Sequence, residues 1–340
     1  MPTSDQVDST KERPAEKRTA VAAVIYNPIK LDVDELKAAV EAAEARHGWG
    51  KSQWYETSPT DAGQEVATQA IEAGATMVLA AGGDGTVRAV AESVHGSSAS
   101  LALLPAGTGN LLARNLDLTL DDMDHAVEVA FGGKDRKIDF GMIEIRRPDK
   151  TTSRHGYVVM AGLGLDAKML ANTSDELKKQ IGWLAYVQAL TRALRDKNEL
   201  GMRYKVDGGQ ERSLKAHTVI VGNCGALPAN IVLLPDAAID DGKFDILILR
   251  PDSVIGWAQI FTKVLWENGV VRRTRLGDRF RRREISALRY TTAKSLRVTL
   301  TQPQDIELDG DEFGKAVSFT TWVEPSSLRV RVPADADAKS

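Results

Sequence analysis

The segment Gly82–Thr86, with the sequence Gly-Gly-Asp-Gly-Thr, is the part of the chain best suited to binding a phosphate. It follows an apolar run, Ala75–Ala80, that predicts a strand, and it precedes a predicted helix at Val87–Val94. Glycines let the backbone approach a ligand closely, and the N–H groups at a helix start favour an anion. A carboxylate in such a turn, Asp84, predicts Mg²⁺ on a nucleotide. The alternative is a tight strand-to-helix turn in which Asp84 is the N-cap.

A second loop, Pro105–Asn110, also lies between a predicted strand and a predicted helix. Because neighbouring parallel strands end at the same edge of a sheet, we expect both loops at one carboxyl edge. Thr108 and Asn110 carry side chains that can hydrogen-bond a phosphate or a ribose. By itself this loop is equally compatible with an ordinary turn, but together with the first loop it favours a nucleotide site.

Two other nucleotide-binding patterns are excluded or disfavoured. The chain has no G-x-x-x-x-G-K-S/T segment, which excludes a Walker-type kinase. The segment Gly162–Ala167 fits the dinucleotide pattern G-x-G-x-x-A. It lies in a β-rich region without a clear βαβ unit and without an acidic residue about 20 positions later, so we do not interpret it as a dinucleotide site.

The first part of the chain alternates strands and helices, which predicts a parallel sheet with helices on both faces. The predicted strands are Ala20–Tyr26, Ser52–Thr57, Ala75–Ala80 and Leu101–Leu104, and the predicted helices are Asp32–His47, Ala62–Ala73, Val87–Val94, Asn110–Leu116 and Met123–Ala130.

After residue 137 the pattern predicts mostly antiparallel β structure, as a sandwich or a flattened barrel. The predicted strands are Ile138–Ile145, Gly156–Met160, Met202–Val206, Ala216–Val221, Phe244–Leu249, Leu296–Leu300, Gln304–Leu308, Ala316–Val323 and Leu328–Val332. Two predicted helices, Glu176–Arg195 and Val254–Trp266, interrupt them.

Composition narrows the function classes. The chain has 340 residues, of which 43% are hydrophobic and 27% charged, and its formal net charge is -3, which excludes a globally basic nucleic-acid binder. Its one cysteine, Cys224, excludes an internal disulfide framework and a cysteine-built zinc site and is compatible with a reducing cytoplasm. Met1–Ala20 has no apolar core and predicts no secretory signal. The longest apolar run, Ala20–Tyr26, is far shorter than the ~20 residues of a membrane-spanning helix.

The order of these motifs resembles the diacylglycerol kinase catalytic-domain family, which includes bacterial lipid kinases and sphingosine kinases and is similar to NAD kinases and phosphofructokinases. Asn27-Pro28 follows the first strand, and Gly82–Thr86 and Pro105–Asn110 come after it. The resemblance extends over residues 20–332 through the segments Gly162–Ala167, Gly222-Asn223, Pro235–Ala237, Asp240–Gly242 and Asp309–Asp311.

The resemblance implies a role for particular residues. Asp311 matches the family's proton acceptor, with Asp84 as the rival base. Asp241 resembles a Mg²⁺ ligand together with the backbone carbonyls of Ala238 and Lys243, although an Asp-Gly β-turn is the alternative interpretation. The residues that resemble ATP contacts are Asn27, Thr57, Gly82, Gly83, Asp84, Gly85, Thr86, Val87, Arg88, Gly107, Thr108 and Asn110.

Three residues depart from the family pattern. Asp311 stands where the family usually has Glu, so its carboxylate is one methylene shorter. Arg88 stands where Asn is common, and its charge either holds a phosphate or points to solvent. Leu111 stands where Asp is common, which removes one polar group from the second loop.

The implied fold is an α/β N-terminal domain with a parallel sheet, similar to NAD kinases and diacylglycerol kinases, plus a mostly antiparallel β-sandwich C-terminal domain. We place a nucleotide-binding domain at residues 20–137, with residues 326–333 returning to it, and a lipid-substrate domain at 138–325, flanked by disordered tails at 1–19 and 334–340. The implied activity is ATP-dependent phosphorylation of diacylglycerol or a related lipid. The alternatives are an NAD kinase-like phosphotransferase and a non-catalytic, nucleotide-gated membrane-binding module.

The basic segment Arg272–Arg283 contains seven arginines and follows the apolar helix predicted at Val254–Trp266. This pair is typical of contact with an anionic membrane surface, and a lipid kinase must reach its substrate there. The alternatives are a core helix on the sandwich followed by a solvated basic loop or edge strand, and a nucleic-acid patch, which the net charge disfavours. We therefore expect a cytoplasmic protein with peripheral membrane association and no nucleic-acid partner, and a homodimer stays open.

Overall fold

The computed structural model describes residues 20–164, 200–227, 231–250 and 288–336. In its first part, strands and helices alternate as the sequence predicts. The elements are β1 (Ala22–Tyr26), α1 (Val33–His47), β2 (Gln53–Glu56), α2 (Gln64–Glu72), β3 (Met77–Gly82), α3 (Asp84–Val94), β4 (Ser100–Pro105), α4 (Leu111–Asn115) and α5 (Met123–Gly132).

Local signals set the boundaries of α1. The Asp32 carboxylate accepts hydrogen bonds from the backbone N–H groups of Asp34 and Glu35, which caps the helix start. Gly48 ends the helix with a left-handed φ of 71°. The side chains of Leu36 and Val40, four residues apart, lie on one buried face.

The first four strands form a parallel sheet in the order β2-β1-β3-β4. Strands β1, β3 and β4 are buried nearly throughout, because helices cover both faces of a parallel sheet. All four strands run in the same direction, so their carboxyl ends meet at one edge, as predicted. The loops that follow Tyr26, Glu56, Gly82 and Pro105 therefore lie side by side.

The rest of the described chain is β structure. Its strands are β5 (Lys134–Arg146), β6 (Thr152–Tyr157), β7 (Met160–Leu163), β8 (Leu200–Val206), β9 (Arg212–Ala216), β10 (Thr218–Gly222), β11 (Ala226–Leu227), β12 (Ile231–Val232), β13 (Phe244–Leu249), β14 (Leu288–Ala293), β15 (Ser295–Leu308) and β16 (Asp311–Val332). These strands pair with one another antiparallel and surround a second hydrophobic core, which includes Tyr157, Phe244 and Phe319.

Strand β16 joins the two regions. Its first part pairs antiparallel with β15, and near its end Val330 pairs in parallel with Leu101 of β4. The two strands predicted at Ala316–Val323 and Leu328–Val332 are one strand, and a register shift between Glu324 and Leu328 accommodates Pro325. The strands predicted at Leu296–Leu300 and Gln304–Leu308 are likewise one strand with a shift around Pro303.

Further differences concern one strand boundary and several strands that the sequence did not predict. The strand predicted at Gly156–Met160 is instead the end of β6, a two-residue turn at Val158 and Val159, and the start of β7. Strands β9, β11, β12 and β14 were not predicted; the exposed, mostly polar residues of β9 give no apolar alternation. Within the described ranges, no helix is long and apolar enough to cross a membrane.

Candidate active site

The four loops at the carboxyl edge of the parallel sheet bring together the residues predicted to contact a nucleotide. The backbone N–H of Asn27 donates to Ala81 O at 3.0 Å, and that of Thr57 donates to Tyr26 O at 2.9 Å. The Asn27 side chain closes its own turn, since Asn27 Oδ1 accepts from the Ile29 N–H at 3.1 Å. Asn27 and Thr57 thus lie at the edge where the two glycine-rich loops begin.

Helix α3 starts at Asp84, three residues earlier than predicted, with Gly83 as its N-cap and no side-chain cap. The N–H groups of a first helical turn have no acceptor within the helix, so this uncapped start can receive an anion. Gly82 cannot carry a side chain here, because a Cβ would lie 2.7 Å from the Thr86 Cβ. The turn is therefore compact, and its first helical turn includes Gly85 and Thr86.

The second glycine loop touches the first through backbone atoms. A Cβ on Gly107 would lie 2.7 Å from Gly83 Cα, so glycine is required for the contact. The Asn110 amide closes the loop: Oδ1 accepts from Gly107 N at 3.1 Å, and Nδ2 donates to Gly107 O at 2.9 Å. This buried amide group therefore binds its own loop, whereas Thr108 is exposed at the loop surface.

Asp84 holds the two loops together. Its Oδ2 accepts from the backbone N–H of Asn110 at 3.0 Å and its Oδ1 from that of Leu111 at 2.6 Å, so it caps α4 and not its own helix α3. Burial raises the pKa of Asp84, and the nearby charge of Asp311 adds to the increase. No local pattern in the sequence predicts this bridge, which engages both carboxylate oxygens.

Asp311 reaches the glycine turn from the β-rich part of the molecule. It is the first residue of β16, and a Cβ on Gly85 would lie 2.9 Å from Asp311 Oδ2. The Asp311 side chain is 48% exposed, in contrast to the more deeply buried Asp84. The structure thus brings both candidate acids to the same turn and leaves Asp311 the more accessible of the two.

The turn before Asp311 is fixed by a second buried acid, Asp309. Its Oδ2 accepts from Val158 N at 2.8 Å, and its Oδ1 accepts from Val159 N and Met160 N at 2.9 Å each. Burial raises the pKa of Asp309 to about 6 although these bonds oppose the increase. Asp309 belongs to the predicted motif Asp309–Asp311 but had no predicted role. It lies in a left-handed turn with a φ of 49° beside Gly310, and the Asp-Gly pair is the sequence signal for such a turn.

Arg88 is buried and does not point to solvent. Arg88 Nη2 lies 3.3 Å from Asp311 Oδ2, and Arg88 Nη1 lies 3.4 Å from Glu92 Oε1. The guanidinium also stacks over the Phe313 ring, 4.5 Å from its centroid. Of the two alternatives left open by the sequence, solvent exposure is wrong, and the charge faces two carboxylates.

Lys30 is a cation at this edge that the sequence analysis missed. A Cβ on Gly83 would lie 3.8 Å from Lys30 Nζ, so the ammonium group is next to the glycine turn. The Lys30 backbone N–H donates to Asn27 O at 3.1 Å, which places the residue on the short turn after β1. The available signal was a lysine three residues after Asn27 in a loop at the carboxyl edge.

The loop predicted to hold a metal precedes β13. Asp241 and Lys243 are exposed, Ala238 is half-buried, and Asp241 Oδ1 accepts from Lys243 N at 3.0 Å. This bond matches the Asp-Gly turn, the alternative that the sequence left open. Among the described residues, no cluster of three or more His, Cys, Asp or Glu side chains is arranged to bind a metal.

A buried acid that the sequence analysis did not single out, Asp139, anchors this loop. Its carboxylate accepts from Gly242 N at 2.6 Å and from Ser326 N at 2.7 Å. At the start of β13, burial raises the pKa of Asp245 to about 6, and the charges of Asp241 and Asp236 add to the effect. The loop therefore has an excess of negative charge, and hard oxygen ligands of this kind suit a divalent cation.

Several predicted features lie outside the described residues. They are residues 1–19, residues 337–340 of the second tail, the Leu165–Ala167 part of the third glycine segment, the helices predicted at Glu176–Arg195 and Val254–Trp266, and the basic segment Arg272–Arg283.

Comparison with protein families gives two matches along the chain. Residues 21–143 match the diacylglycerol kinase catalytic domain, and residues 158–332 match the YegS C-terminal NAD kinase beta sandwich-like domain. The second match alone spans half of the sequence. Together, the two matches define the class of the molecule as an α/β catalytic domain followed by a β-sandwich-like domain. This confirms the fold class predicted from the sequence.

Individual relatives support the same assignment. A protein of Pseudomonas aeruginosa (strain UCBPP-PA14) named "Probable lipid kinase YegS-like" is 31% identical over 306 residues, which cover 88% of this chain and 90% of that relative. A Pseudomonas fluorescens (strain Pf-5) protein of the same name is 31% identical over 308 residues, 89% of this chain and 92% of that one. The chain therefore belongs to the diacylglycerol kinase catalytic-domain family, in which it is similar to the YegS-like proteins.

Solved structures show the same fold. The crystal structure of a "putative diacylglycerol kinase" from Bacillus anthracis str. Sterne matches with a TM-score of 0.69 at 16% identity, over 92% of this chain and 96% of that one. This likeness confirms the predicted two-part fold.

Proposed function

We propose that this protein is an ATP-dependent lipid kinase that transfers the γ-phosphate of ATP to the hydroxyl of diacylglycerol or a related single-hydroxyl lipid. Membership in the diacylglycerol kinase catalytic-domain family supports the class of reaction. The observation that carries the proposal is the position of Asp311, a half-exposed carboxylate that the β-rich region holds against Gly85 of the glycine turn. In this proposal, the group that binds phosphate and the group that accepts a proton are therefore adjacent.

In this proposal the glycine turn and Lys30 bind the triphosphate. The uncapped N–H groups at the start of α3 provide hydrogen-bond donors, and the Lys30 ammonium group adds a positive charge beside Gly83. Electrostatic stabilisation of this kind is usually the largest contribution to catalysis. The role of Asp84 is to hold the second loop against the first, since its oxygens bind the N–H groups of Asn110 and Leu111.

Asp311 then acts as the general base. It accepts the proton of the lipid hydroxyl while that oxygen forms a bond to the γ-phosphorus, and the bond from the γ-phosphorus to the bridging oxygen breaks to release ADP. Asp309 keeps Asp311 in place by binding three backbone N–H groups of the β6–β7 turn. The base is therefore attached to a rigid support.

Mg²⁺ is the cofactor of this proposal, and when bound it would neutralise negative charge. A second Mg²⁺ would be held by Asp241 with the backbone carbonyls of Ala238 and Lys243. Burial raises the pKa of Asp245, and the charges of Asp241 and Asp236 add to the increase; this local negative charge supports the choice, because a cation would offset it. Asp139 orders the loop by accepting from Gly242 N.

A lipid acceptor implies that the protein acts at a membrane surface. The sequence feature that suits this contact is the basic segment Arg272–Arg283 together with the helix predicted at Val254–Trp266. Both lie outside the described residues, so the contact rests on sequence alone.

The test is transfer of labelled γ-phosphate from ATP to diacylglycerol in detergent micelles, with ceramide, a sphingoid base, a polyprenol and NAD offered in parallel. We expect label in a lipid and none in NAD. Label in NAD without label in lipid supports an NAD kinase instead. If ATP binds but no acceptor becomes labelled, the protein is better described as a nucleotide-gated binding module.

A further inference from the structure

Arg88 occupies an unusual place for a cation at a phosphate-binding turn. Its side chain is 10% exposed, and its Nη atoms face Glu92 on the same helix and Asp311 on β16. The Phe313 ring covers it at 4.5 Å, and Arg88 Nε is buried without a hydrogen-bond partner in the described chain. Two carboxylates and an aromatic ring thus surround the guanidinium.

The Phe313 ring that covers Arg88 is itself held from two sides. Arg147 donates to the Phe313 carbonyl oxygen, and the His155 ring packs against Phe313 edge-on, with 4.7 Å between centroids. Burial lowers the pKa of His155, and the charges of Arg88 and Arg147 lower it further, which favours the neutral ring. The aromatic support under the guanidinium is therefore fixed to β6 and to the turn between β5 and β6.

We propose that Arg88 is a positioning residue for Asp311: it holds the Asp311 carboxylate in the orientation that accepts the proton of the acceptor hydroxyl. This inference rests on the proposed function, because it assigns Arg88 to the base of that reaction and not to the nucleotide.

Two other roles for Arg88 fit the geometry less well. A phosphate ligand needs exposed N–H groups, whereas this guanidinium is nearly buried and already faces two acids. A purely structural ion pair needs only Glu92, whose side chain is 8% exposed, since a pair with a half-exposed carboxylate adds little stability. The bond from Arg88 to Asp311 is better explained by orientation, because a general base must lie within hydrogen-bond reach of the proton it accepts.

The test is a double-mutant cycle between Arg88 and Asp311. Replacing Arg88 alone would leave Glu92 buried without its cation, so the cycle uses the neutral pair Arg88→Gln with Glu92→Gln, made with and without Asp311→Asn. Turnover, the dissociation constant for ATP and the melting temperature are measured for each protein. The single change Glu92→Gln is the matched control, because it keeps Arg88 and its bond to Asp311.

We expect the Arg88→Gln, Glu92→Gln protein to lose ~10–100-fold in kcat with unchanged ATP affinity, the size of loss that misplacement of a catalytic group causes. In the Asp311→Asn background the same change should cost no further kcat, because its effect passes through Asp311. The Arg88→Lys protein, with Glu92 intact, should have a higher kcat than the Arg88→Gln, Glu92→Gln protein, because lysine keeps the positive charge. Losses that add in full, or a loss of ATP affinity, would overturn the proposal.

The wild-type protein in the same assay separates this inference from the proposed function. If wild-type protein labels no acceptor, the proposed function fails. Crystal structures then test whether Arg88 orients the Asp311 carboxylate. The Asp311 carboxylate should face Arg88 in the wild-type crystal and turn away from that orientation in the Arg88→Gln, Glu92→Gln crystal. An Asp311 orientation that is the same in both crystals contradicts the inference whatever the activity.

Discussion

The glycine turn after β3 and the acidic turn between β15 and β16 both carry a partly or fully buried carboxylate that binds backbone N–H groups. In the glycine turn this is Asp84, which binds the start of α4. In the acidic turn it is Asp309, which binds the β6–β7 turn. Only the acidic turn presents, two residues later, another carboxylate, Asp311, with 48% of its side chain exposed.

This difference assigns separate tasks to the two turns. A carboxylate that accepts two or three backbone N–H bonds is held in one orientation and contributes to the folded structure. A half-exposed carboxylate held by one cation can still approach a substrate. In our proposal the glycine turn therefore binds phosphate and the acidic turn carries the base.

The largest expected effect comes from Asp311→Asn. The change keeps the shape of the side chain and removes the proton acceptor, so kcat should fall ~10²-fold or more. ATP affinity should stay unchanged, because a group that acts on the acceptor's proton contributes mainly in the transition state. Turnover in the lipid assay and equilibrium binding of ATP measure the two quantities.

Asp311→Glu is the matched control for this change. It keeps the carboxylate, adds a methylene and should retain part of the activity. Near wild-type turnover in Asp311→Asn would show that the acidic turn does not carry the base and would return Asp84 to that role.

Asp84→Asn should act on folding and ATP binding together. The amide keeps one acceptor oxygen, but its NH₂ group would face a backbone N–H of Asn110 or Leu111. The loss of charge-assisted bonds with an unsatisfied donor costs about 3 kcal/mol. We expect a lower melting temperature and weaker ATP binding, whereas Asp121→Asn, at an exposed position, should change neither. A stable variant with normal ATP affinity would contradict the role of Asp84 as a clamp.

Asp309 should make stability depend on pH. Burial raises its pKa from 3.8 to about 6, so between these values the folded protein holds a proton that the unfolded chain releases. Stability should therefore fall as the pH rises through this window, by at most about 3 kcal/mol. Urea unfolding of the wild type and of Asp309→Asn from pH 4 to pH 7 measures the effect (about three pH units cover the titration). Equal pH slopes in the two proteins would show that Asp309 is not responsible.

Sequence reasoning found the elements of the site but not the bonds between them. Apolar runs and glycines are local signals, and they predicted the parallel sheet and the two loops at its carboxyl edge. The hydrogen bonds from backbone N–H groups to the Asp84 and Asp309 carboxylates join distant residues. Asp84 binds Leu111, 27 positions away, and Asp309 binds Val158, 151 positions away. Which backbone N–H groups meet a carboxylate depends on the register of strands far apart in the chain, and composition does not encode that register.

A local sequence pattern could not predict the burial of Arg88 either. Its neighbours Asp311 and Phe313 come from β16, more than two hundred residues later in the chain. The position of Lys30 beside Gly83 depends on the parallel pairing of β1 with β3, which brings the turn after β1 to the glycine turn. A lysine in that turn would have been a reasonable candidate once the strand order was known.

Lys30→Gln tests the role of the glycine turn in phosphate binding. It is the change with the smallest expected effect. Lys30 is exposed, so its ammonium group should contribute about 1 kcal/mol to triphosphate binding, or about fivefold in the dissociation constant for ATP. The melting temperature should not change, because the side chain is not part of the core.

Lys51→Gln is the matched control, since Lys51 is equally exposed but precedes β2, at the opposite end of the parallel strands. If high salt reduces the difference between wild type and Lys30→Gln while the Lys51→Gln protein still behaves as wild type, the contribution is electrostatic and specific to the glycine turn. Equal ATP affinity in Lys30→Gln and wild type at low salt would leave the start of α3 as the phosphate-binding group at this turn.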